Sequence, residues 1–222
     1  MKKYLILDFG NVLVYPTSGD WNMTPTFMEV VNPSNDNIES LRVLFKKYSF
    51  YLDEKLLTTD EEYEMFKSFY GSVLSECEWF DYDEEKIERI AHNRTYEFDK
   101  YTLFDEVKDE LDELIKNYKL IMLTDNWPCV TDYLKEYDLL KYFDKVYISS
   151  VYAELKREGI FFDHPIEDFM INPEDAIFVD DNENILDVAR EKGFIVYQMD
   201  RKRTVTSSKY EIIHDLSFLI DK

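Results

Sequence analysis

The stretch YLILDFGNVLV, residues 4–14, decides how the rest of the sequence is interpreted. Its apolar start leads directly into Asp8, after which the chain turns at Gly10 and Asn11 and becomes apolar again. A short apolar run of this kind predicts a strand, here residues 4–9, that is covered on both faces in the centre of a parallel sheet. A buried strand that ends on a carboxylate needs an explanation, because a charge removed from water is unfavourable unless something pairs with it.

The same strand signal returns four times, in YKLIMLTD (118–125), KVYIS (145–149), AIFVDD (176–181) and FIVYQMD (194–200). Apolar residues at helical spacing separate these strands at 107–115, 130–137 and 185–189. Strands that alternate with helices are typical of a doubly wound, Rossmann-like α/β fold with a parallel sheet. Residues 201–209 are predicted to form a loop that leads to a short terminal strand and helix.

Residues 17–101 do not follow this alternation. Apolar residues keep helical spacing at 41–48, 63–74 and 87–91, and no stretch between them has the pattern of a strand. We therefore predict three or four helices inserted between the first and second strands of the sheet. The predicted domains are an α/β core of residues 1–16 and 102–222, and an all-α domain of residues 17–101.

Composition restricts the possible partners. The chain has 222 residues and a formal net charge of −21, and so acidic a surface repels nucleic acids and anionic membranes. Two cysteines, Cys77 and Cys129, are too few for a disulfide framework or a zinc site. We expect a soluble cytoplasmic protein, because Asp8 interrupts the apolar run that resembles a signal peptide and no stretch approaches the ~18–20 apolar residues of a membrane span.

Polar side chains are predicted to meet at one edge of the sheet. Ligands of open parallel sheets bind outside the carboxyl ends of the strands, and these ends carry Asp8, Thr124, Lys156, Asp180 and Asp181. Clustered carboxylates repel each other unless a cation joins them, and a set of oxygen ligands suits Mg²⁺. An aspartate beside that ion can attack phosphorus, while a lysine neutralises the transferred group.

In their order along the chain, these residues resemble the motifs of the haloacid dehalogenase superfamily, in the branch with a helical cap after the first strand. LILDFGNVLV is similar to the first motif, LIMLT to the second, Lys156 in SSVYAELKREGIFF to the third and AIFVDDNENIL to the fourth. DFGNV also looks like a variant found among sugar-phosphate phosphatases of the superfamily. The resemblance spans nearly the whole chain and implies a Mg²⁺-dependent phosphatase of a small phosphorylated metabolite.

The resemblance also implies a role for each matching residue. Asp8 would be the nucleophile and a Mg²⁺ ligand, Gly10 would offer its carbonyl oxygen, and Asp181 would be the acidic ligand from the fourth motif. Asp180 would pair with Lys156 or hold a metal-bound water, and so counts as a further metal-site residue.

Four residues are expected to contact the substrate. Thr124 and the backbone amide of Asp125 would bind the phosphoryl oxygens, and Lys156 would neutralise them. Asn11 is placed with this group. At Gly10 the usual proton donor of the family is missing, and Asn11, water or a residue of the helical cap would take over part of its role. Asn184 would support the metal site from outside it.

The sequence departs from the family pattern at three positions. Gly10 stands where most phosphatases of the superfamily have the aspartate that acts as general acid and base, and losing such a group typically costs ~10²–10⁴-fold in rate. Asp125 stands where asparagine is commoner, so its charge must point away from a phosphate or meet a cation. Arg157 replaces the usual proline and is itself a neighbouring candidate for the role of Lys156.

Other interpretations remain open at this stage. The segment 180–182 also contains residue types that are favoured at a helix N-cap. Thr124 can be a buried strand hydroxyl, and Lys156 can be a solvated loop cation. A metal-independent haloacid dehalogenase, in which Asp8 attacks carbon, is the alternative enzyme. The alternative that is not an active enzyme is a phosphate-ester-binding or regulatory protein on the same fold, in which Gly10 weakens catalysis. The sequence predicts no oligomeric state.

Overall fold

The computed structural model describes residues 3–220 and 222; Met1, Lys2 and Asp221, which fall within the predicted α/β core, lie outside the described residues. The strands are β1 (Lys3–Leu7), β2 (Val14–Pro16), β3 (Tyr101–Leu103), β4 (Tyr118–Thr124), β5 (Phe143–Ile148), β6 (Ala176–Asp180), β7 (Ile195–Met199) and β8 (Ile212–Ile213). The α-helices are α1 (Pro25–Val31), α2 (Asn35–Lys47), α3 (Thr59–Ser75), α4 (Glu84–Tyr96), α5 (Val107–Asn117), α6 (Cys129–Glu136), α7 (Ser149–Tyr152), α8 (Asp163–Phe169) and α9 (Glu183–Glu191).

The chain divides into two compact units. The α/β unit consists of the described residues within 1–15, 103–126 and 130–222, and the helical unit consists of Pro16–Thr102 together with Trp127–Cys129. The sequence places the boundaries close to these positions, but it does not indicate that three residues after β4 group with the helices.

The α/β unit is built on a six-stranded sheet in the order β5-β4-β1-β6-β7-β8. Each neighbouring pair of strands is parallel. Helices lie between successive strands of this sheet from β1 to β7 along the chain. Both features confirm the predicted doubly wound α/β fold. The observed β1 ends at Leu7 rather than at Phe9, because the chain enters a turn directly after Asp8. At the other end of the chain, β8 is present as expected, but a short 3₁₀ turn, Leu216–Leu219, stands in place of the predicted helix.

The strand register brings three predicted residues together. In β1, Leu7 pairs with Met122 of β4 on one side and with Val179 of β6 on the other. The backbone N–H of Asp8 donates to the carbonyl oxygen of Val179 at 3.1 Å. Asp8 therefore leaves the sheet between the ends of β4 and β6, where Thr124 and Asp180 end their own strands.

The core of the α/β unit explains why the strands carry continuous apolar runs. Ile6, Ile121 and Phe178 come from neighbouring strands and belong to one buried cluster. In α9, Ile185, Leu186 and Ala189 are buried against the sheet, as their spacing predicts. Burying each large apolar side chain contributes about 1.5–3 kcal/mol, so this core stabilises the sheet that carries the polar strand ends.

The helical unit has its own core. Helix α3 begins with a capping box, in which Thr58 accepts from the N–H of Glu61 while the Glu61 carboxylate accepts from the N–H of Thr58. Aromatic rings fill the interior. Each of four rings lies in edge or stacked contact with at least two of the others, namely Phe45, Phe66, Phe69 and Tyr70. Within the described residues, no helix has the length and apolar character to cross a membrane.

Candidate active site

Three carboxylates converge at the carboxyl ends of β1 and β6. Asp8 follows β1, Asp180 ends β6, and Asp181 comes next along the chain. Each offers one oxygen such that the three atoms lie within 4.8 Å of one another. We refer to Asp8, Asp180 and Asp181 as the three-carboxylate cluster.

Lys156 enters this cluster from a 3₁₀ turn, Lys156–Glu158. Its Nζ lies 2.8 Å from Asp8 Oδ1 and 2.6 Å from Asp180 Oδ2, and the residue is 3% exposed. Burial alone lowers the pKa of Lys156, but Asp180, Asp8 and Asp125 outweigh it and raise the pKa, so the side chain stays an ammonium. The neighbouring Arg157 is exposed, so the lysine of the KR pair is the one that meets the carboxylates.

Asp180 has both carboxylate oxygens engaged. Oδ1 accepts from the N–H of Asn182 at 2.9 Å, and Oδ2 accepts from Lys156. Burial raises the pKa of Asp180 to about 7; Lys156 opposes this rise and the Asp8 charge adds to it. Asp180 is thus a partner of Lys156, one of the two roles that the resemblance allows.

Asp181 is held by two amide side chains. Asn11 Nδ2 donates to Asp181 Oδ2 at 2.8 Å, and Gln198 Nε2 donates to the Asp181 carbonyl oxygen at 2.9 Å. Burial and the Asp8 charge raise the pKa of Asp181, while the Asn11 hydrogen bond lowers it. Sequence reasoning missed Gln198; its one signal is a polar residue inside the apolar run of β7, in register with Asp180.

The turn after Asp8 presents Asn11 to this contact. Asn11 has a φ of 54°, a left-handed conformation that asparagine tolerates better than most residues. Its N–H donates to the Val14 carbonyl oxygen at 2.6 Å, which closes the turn. Asn11, expected beside the substrate, therefore lies against Asp181, 170 positions away in the sequence.

Thr124 and Asp125 lie where β4 ends. Thr124 is 1% exposed, whereas Asp125 is exposed and its Oδ1 accepts from the backbone N–H of Lys156 at 2.9 Å. The Asp125 carboxylate thus meets a hydrogen-bond donor of the turn that carries the lysine. This use of the Asp125 side chain, as opposed to its backbone amide, was missed at the sequence level.

The N-cap interpretation of 180–182 is also correct, since Asn182 Oδ1 accepts from the N–H of Asn184 at the start of α9. One segment therefore caps the helix and supplies two carboxylates. Asn184, expected to support the metal site, is exposed. A cavity of about 200 Å³ adjoins the cluster, and Asn11 and Asp181 form part of its wall.

A family model described as haloacid dehalogenase-like hydrolase matches residues 2–193. No curated protein is significantly similar to the chain in sequence.

Several solved structures share the fold. HAD-hydrolase YfnB from Bacillus subtilis, bound to magnesium, has a TM-score of 0.72 at 14% identity, over 99% of this chain and 97% of that chain. L-2-haloacid dehalogenase from Xanthobacter autotrophicus has a TM-score of 0.70 at 13% identity, over 100% of this chain and 98% of that chain. HAD family enzyme BT-2542 from Bacteroides thetaiotaomicron, in complex with magnesium and inorganic phosphate, has a TM-score of 0.65 at 20% identity, over 93% of this chain and 98% of that chain.

Proposed function

The chain belongs to the haloacid dehalogenase-like hydrolase family, and we propose that within it the protein is a Mg²⁺-dependent phosphatase of a small phosphorylated metabolite. The observation that carries this proposal is the three-carboxylate cluster, whose ligand oxygens lie within 4.8 Å of one another. When all three carboxylates are ionised, the single ammonium of Lys156 leaves two negative charges, which a divalent cation would neutralise.

The donor set fits magnesium. All side-chain donors are carboxylate oxygens, the hard ligands that Mg²⁺ prefers. Asp8 Oδ1 is buried and lacks an aligned hydrogen bond, although Lys156 Nζ lies 2.8 Å away. We assign Asp8, Asp181 and the Gly10 carbonyl oxygen to the ion, and Asp180 to Lys156. When bound, Mg²⁺ would supply positive charge to the phosphoryl oxygens.

In the proposed reaction, Asp8 attacks the phosphorus of the ester and forms an aspartyl-phosphate as the alcohol leaves. Water then attacks the phosphorus and releases the Asp8 carboxylate. Lys156 neutralises the nucleophile and the transferred group, while the Thr124 hydroxyl and the Asp125 N–H bind phosphoryl oxygens. The magnesium and phosphate bound to BT-2542, and the magnesium bound to YfnB, support this assignment.

The second candidate is a haloacid dehalogenase that works without metal. The observation that favours it is Gly10, which leaves no carboxylate two residues after Asp8. In this reaction, Asp8 attacks carbon and halide leaves. The Xanthobacter autotrophicus dehalogenase shares the fold, so the two chemistries must be separated by experiment.

Purified protein should be assayed on a panel of phosphomonoesters with Mg²⁺ and with EDTA, and on 2-chloropropionate in EDTA. We expect phosphate release that needs Mg²⁺ and disappears in Asp8→Asn. Asp144→Asn, an exposed aspartate of β5, is the matched control and should keep full activity.

If phosphate release is unchanged in EDTA, or persists in the Asp8→Asn variant, the proposed Mg²⁺-dependent phosphatase reaction is rejected. Chloride release in EDTA would establish the dehalogenase instead. Binding of phosphate esters without turnover of any compound would indicate a binding or regulatory protein. A cytoplasmic location stays a prediction from the sequence.

A further inference from the structure

The geometry points to Asp125 as the catalytic residue that donates and accepts the proton in the proposed phosphatase reaction, in place of the carboxylate absent at Gly10. This inference rests on the proposed function. An alkoxide is a poor leaving group, so phosphate-ester cleavage requires a proton donor beside the leaving oxygen. The turn after β1 cannot supply one, because Gly10 has no side chain and Asn11 is bound to Asp181.

Asp125 has the position that this role needs. It directly follows Thr124, at the end of the strand adjacent to β1. Its neighbour Thr124 and the cluster residue Asp8 are buried, whereas Asp125 is exposed. A carboxylic acid at this point is next to the proposed phosphoryl site and open to a leaving group or to water.

Asp125 is also held in place. Its Oδ1 accepts from the Lys156 N–H at 2.9 Å, while Lys156 Nζ contacts Asp8 and Asp180. Lys156 therefore contacts the proposed acid, Asp125, through its backbone and the nucleophile, Asp8, through its ammonium group. This hydrogen bond to the turn that carries Lys156 holds the Asp125 carboxylate in one position, which is what proton transfer from a fixed group requires.

The three acids of the three-carboxylate cluster are less suitable as the proton donor. Asp180 has both oxygens occupied, by Asn182 and Lys156. Asp8 is the proposed nucleophile, and Asp181 accepts from Asn11 and is assigned to the ion.

The charged groups around Asp125 are Lys156, Asp8 and Arg157. Partial loss of hydration raises the pKa of the Asp125 carboxyl; Lys156 and Arg157 oppose this rise, and Asp8 adds to it. The net direction is upward, which enlarges the protonated fraction near neutral pH.

The two half-reactions conserve protons and electron pairs. As an Asp8 oxygen bonds to phosphorus, the P–O bond to the alcohol breaks, its electron pair stays on the leaving oxygen, and that oxygen takes the Asp125 proton. Water then bonds to phosphorus and gives one proton to the Asp125 carboxylate, while the pair of the Asp8–phosphorus bond returns to Asp8. Asp125 is protonated again, and the net products are alcohol and phosphate.

Asp125→Asn tests the role, because the amide oxygen can still accept from the Lys156 N–H while the acid is gone. We would compare kcat/KM, with Mg²⁺, for a primary alkyl phosphate and for p-nitrophenyl phosphate. The variant should lose about 10²-fold or more on the alkyl ester and far less on the aryl ester, since nitrophenolate leaves without a proton. Its profile for the alkyl ester should also lack the fall in kcat/KM at high pH that deprotonation of the acid causes in the wild type. Asp125→Glu should restore part of the activity on the alkyl ester.

Equal kcat/KM losses on both esters, or wild-type values on both, would overturn the inference while leaving the phosphatase intact. Asp125→Ala removes the hydrogen bond to the Lys156 N–H as well as the acid. A loss of kcat/KM in this variant but not in Asp125→Asn would also overturn the inference, because Asp125 would then only hold the Lys156 turn. Absence of Mg²⁺-dependent turnover in the wild type would reject the proposed function itself, and the inference with it. Thermal unfolding of each variant shows whether a loss comes from misfolding.

Discussion

Each unit of the molecule buries a lysine, and the two lysines have opposite surroundings. In the α/β unit, Lys156 is 3% exposed and has two carboxylate partners, Asp8 at 2.8 Å and Asp180 at 2.6 Å. In the helical unit, Lys100 is 2% exposed and donates to the carbonyl oxygen of Thr95 at 3.1 Å. Burial is equal, but the charge around the two ammonium groups is not.

The two pKa directions follow from this difference. The carboxylates raise the pKa of Lys156 despite its burial. Burial and the nearby Arg94 lower the pKa of Lys100, and Cys129 and Glu62 oppose this shift in part. A buried lysine is therefore no sign of a site by itself; two carboxylates within ion-pair distance are the distinguishing feature.

The polar groups around Lys100 also have a structural use. Glu62 Oε2 accepts from the Cys129 N–H at 2.7 Å, which fixes the segment Trp127–Cys129 within the helical unit. The Arg94 guanidinium lies over the rings of Phe66 and Trp127, at 4.5 Å and 5.0 Å from their centroids. The buried charges of this unit therefore lie among aromatic rings, backbone groups and the Glu62 carboxylate, and the ring contacts of Arg94 are cation–π interactions.

Among the variants that test this difference, Lys156→Met should have the largest effect. It leaves the Asp8 and Asp180 carboxylates buried without their cation, and breaking such a pair costs about 3–5 kcal/mol. The pKa of Asp180, already raised to about 7, should rise further. A pKa that is higher in the folded than in the unfolded state makes stability fall as pH rises. The variant should therefore regain more stability than the wild type between pH ~7.5 and ~5.5, so that its loss relative to the wild type becomes smaller.

Urea denaturation in EDTA at the two pH values measures this effect without metal. A loss of the same size at both pH values would contradict the assignment of Lys156 as the counter-charge of the carboxylates. Lys100→Met serves as the matched buried-lysine control.

Asn11→Gly should have an intermediate effect, confined to the cluster. Glycine accepts the left-handed φ of 54° at Asn11 without steric cost, so only the hydrogen bond to Asp181 is lost. Loss of a partner that orients a metal ligand typically weakens metal binding about 10–100-fold. Calorimetric titration with Mg²⁺ measures the affinity directly, independently of activity.

Asn11→Ala is the companion variant, because it adds the strain of a left-handed alanine, about 1–2 kcal/mol, to the same loss. It should bind Mg²⁺ as weakly as Asn11→Gly and unfold more easily. Wild-type affinity in both variants would show that Asn11 does not position Asp181.

Lys100→Met should have the smallest effect. Replacing a buried charge by an apolar side chain of similar length is often neutral, so we expect a change within about 1 kcal/mol at pH ~7. A Lys100 pKa below its ordinary value of 10.5 means that the unfolded state binds more protons, so wild-type stability gains from this group as pH rises.

The methionine variant should lack that gain. Unfolding at pH ~7 and ~9.5, compared with the wild type, checks it. A destabilisation as large as that of Lys156→Met would mean that both lysines stabilise the fold, and the contrast between the units would fail.

The residues of the candidate site that lie at the ends of strands could be predicted from the sequence. Asp8, Thr124, Asp180 and Asp181 each follow a run of apolar residues, and parallel strands bring their carboxyl ends to one edge. Lys156 was harder to place, because it lies in a 3₁₀ turn without periodicity and beside a second cation, Arg157.

The contacts that orient these groups could not be predicted. Asn11 and Asp181 are 170 positions apart, Gln198 reaches a backbone oxygen of another strand, and Asp125 binds an N–H 31 positions away. Arg201 was assigned to a plain loop, yet its side chain is 2% exposed and is bound to Glu110. Such partners depend on how distant elements pack, which residue type alone does not specify.

The pattern of apolar residues is enough to specify the α/β class, the helical insertion and the residues that reach the carboxyl ends of the strands. These follow from the periodicity of apolar residues and from the residues that end each run, both of which act over a few neighbouring positions. The side-chain partners depend on the packed fold: Asp180 binds Lys156, Asn11 and Gln198 bind Asp181, and the Asp125 side chain accepts from the Lys156 turn. Side-chain partners are selected by three-dimensional proximity, and proximity exists only after the strands have paired and the helices have packed on them.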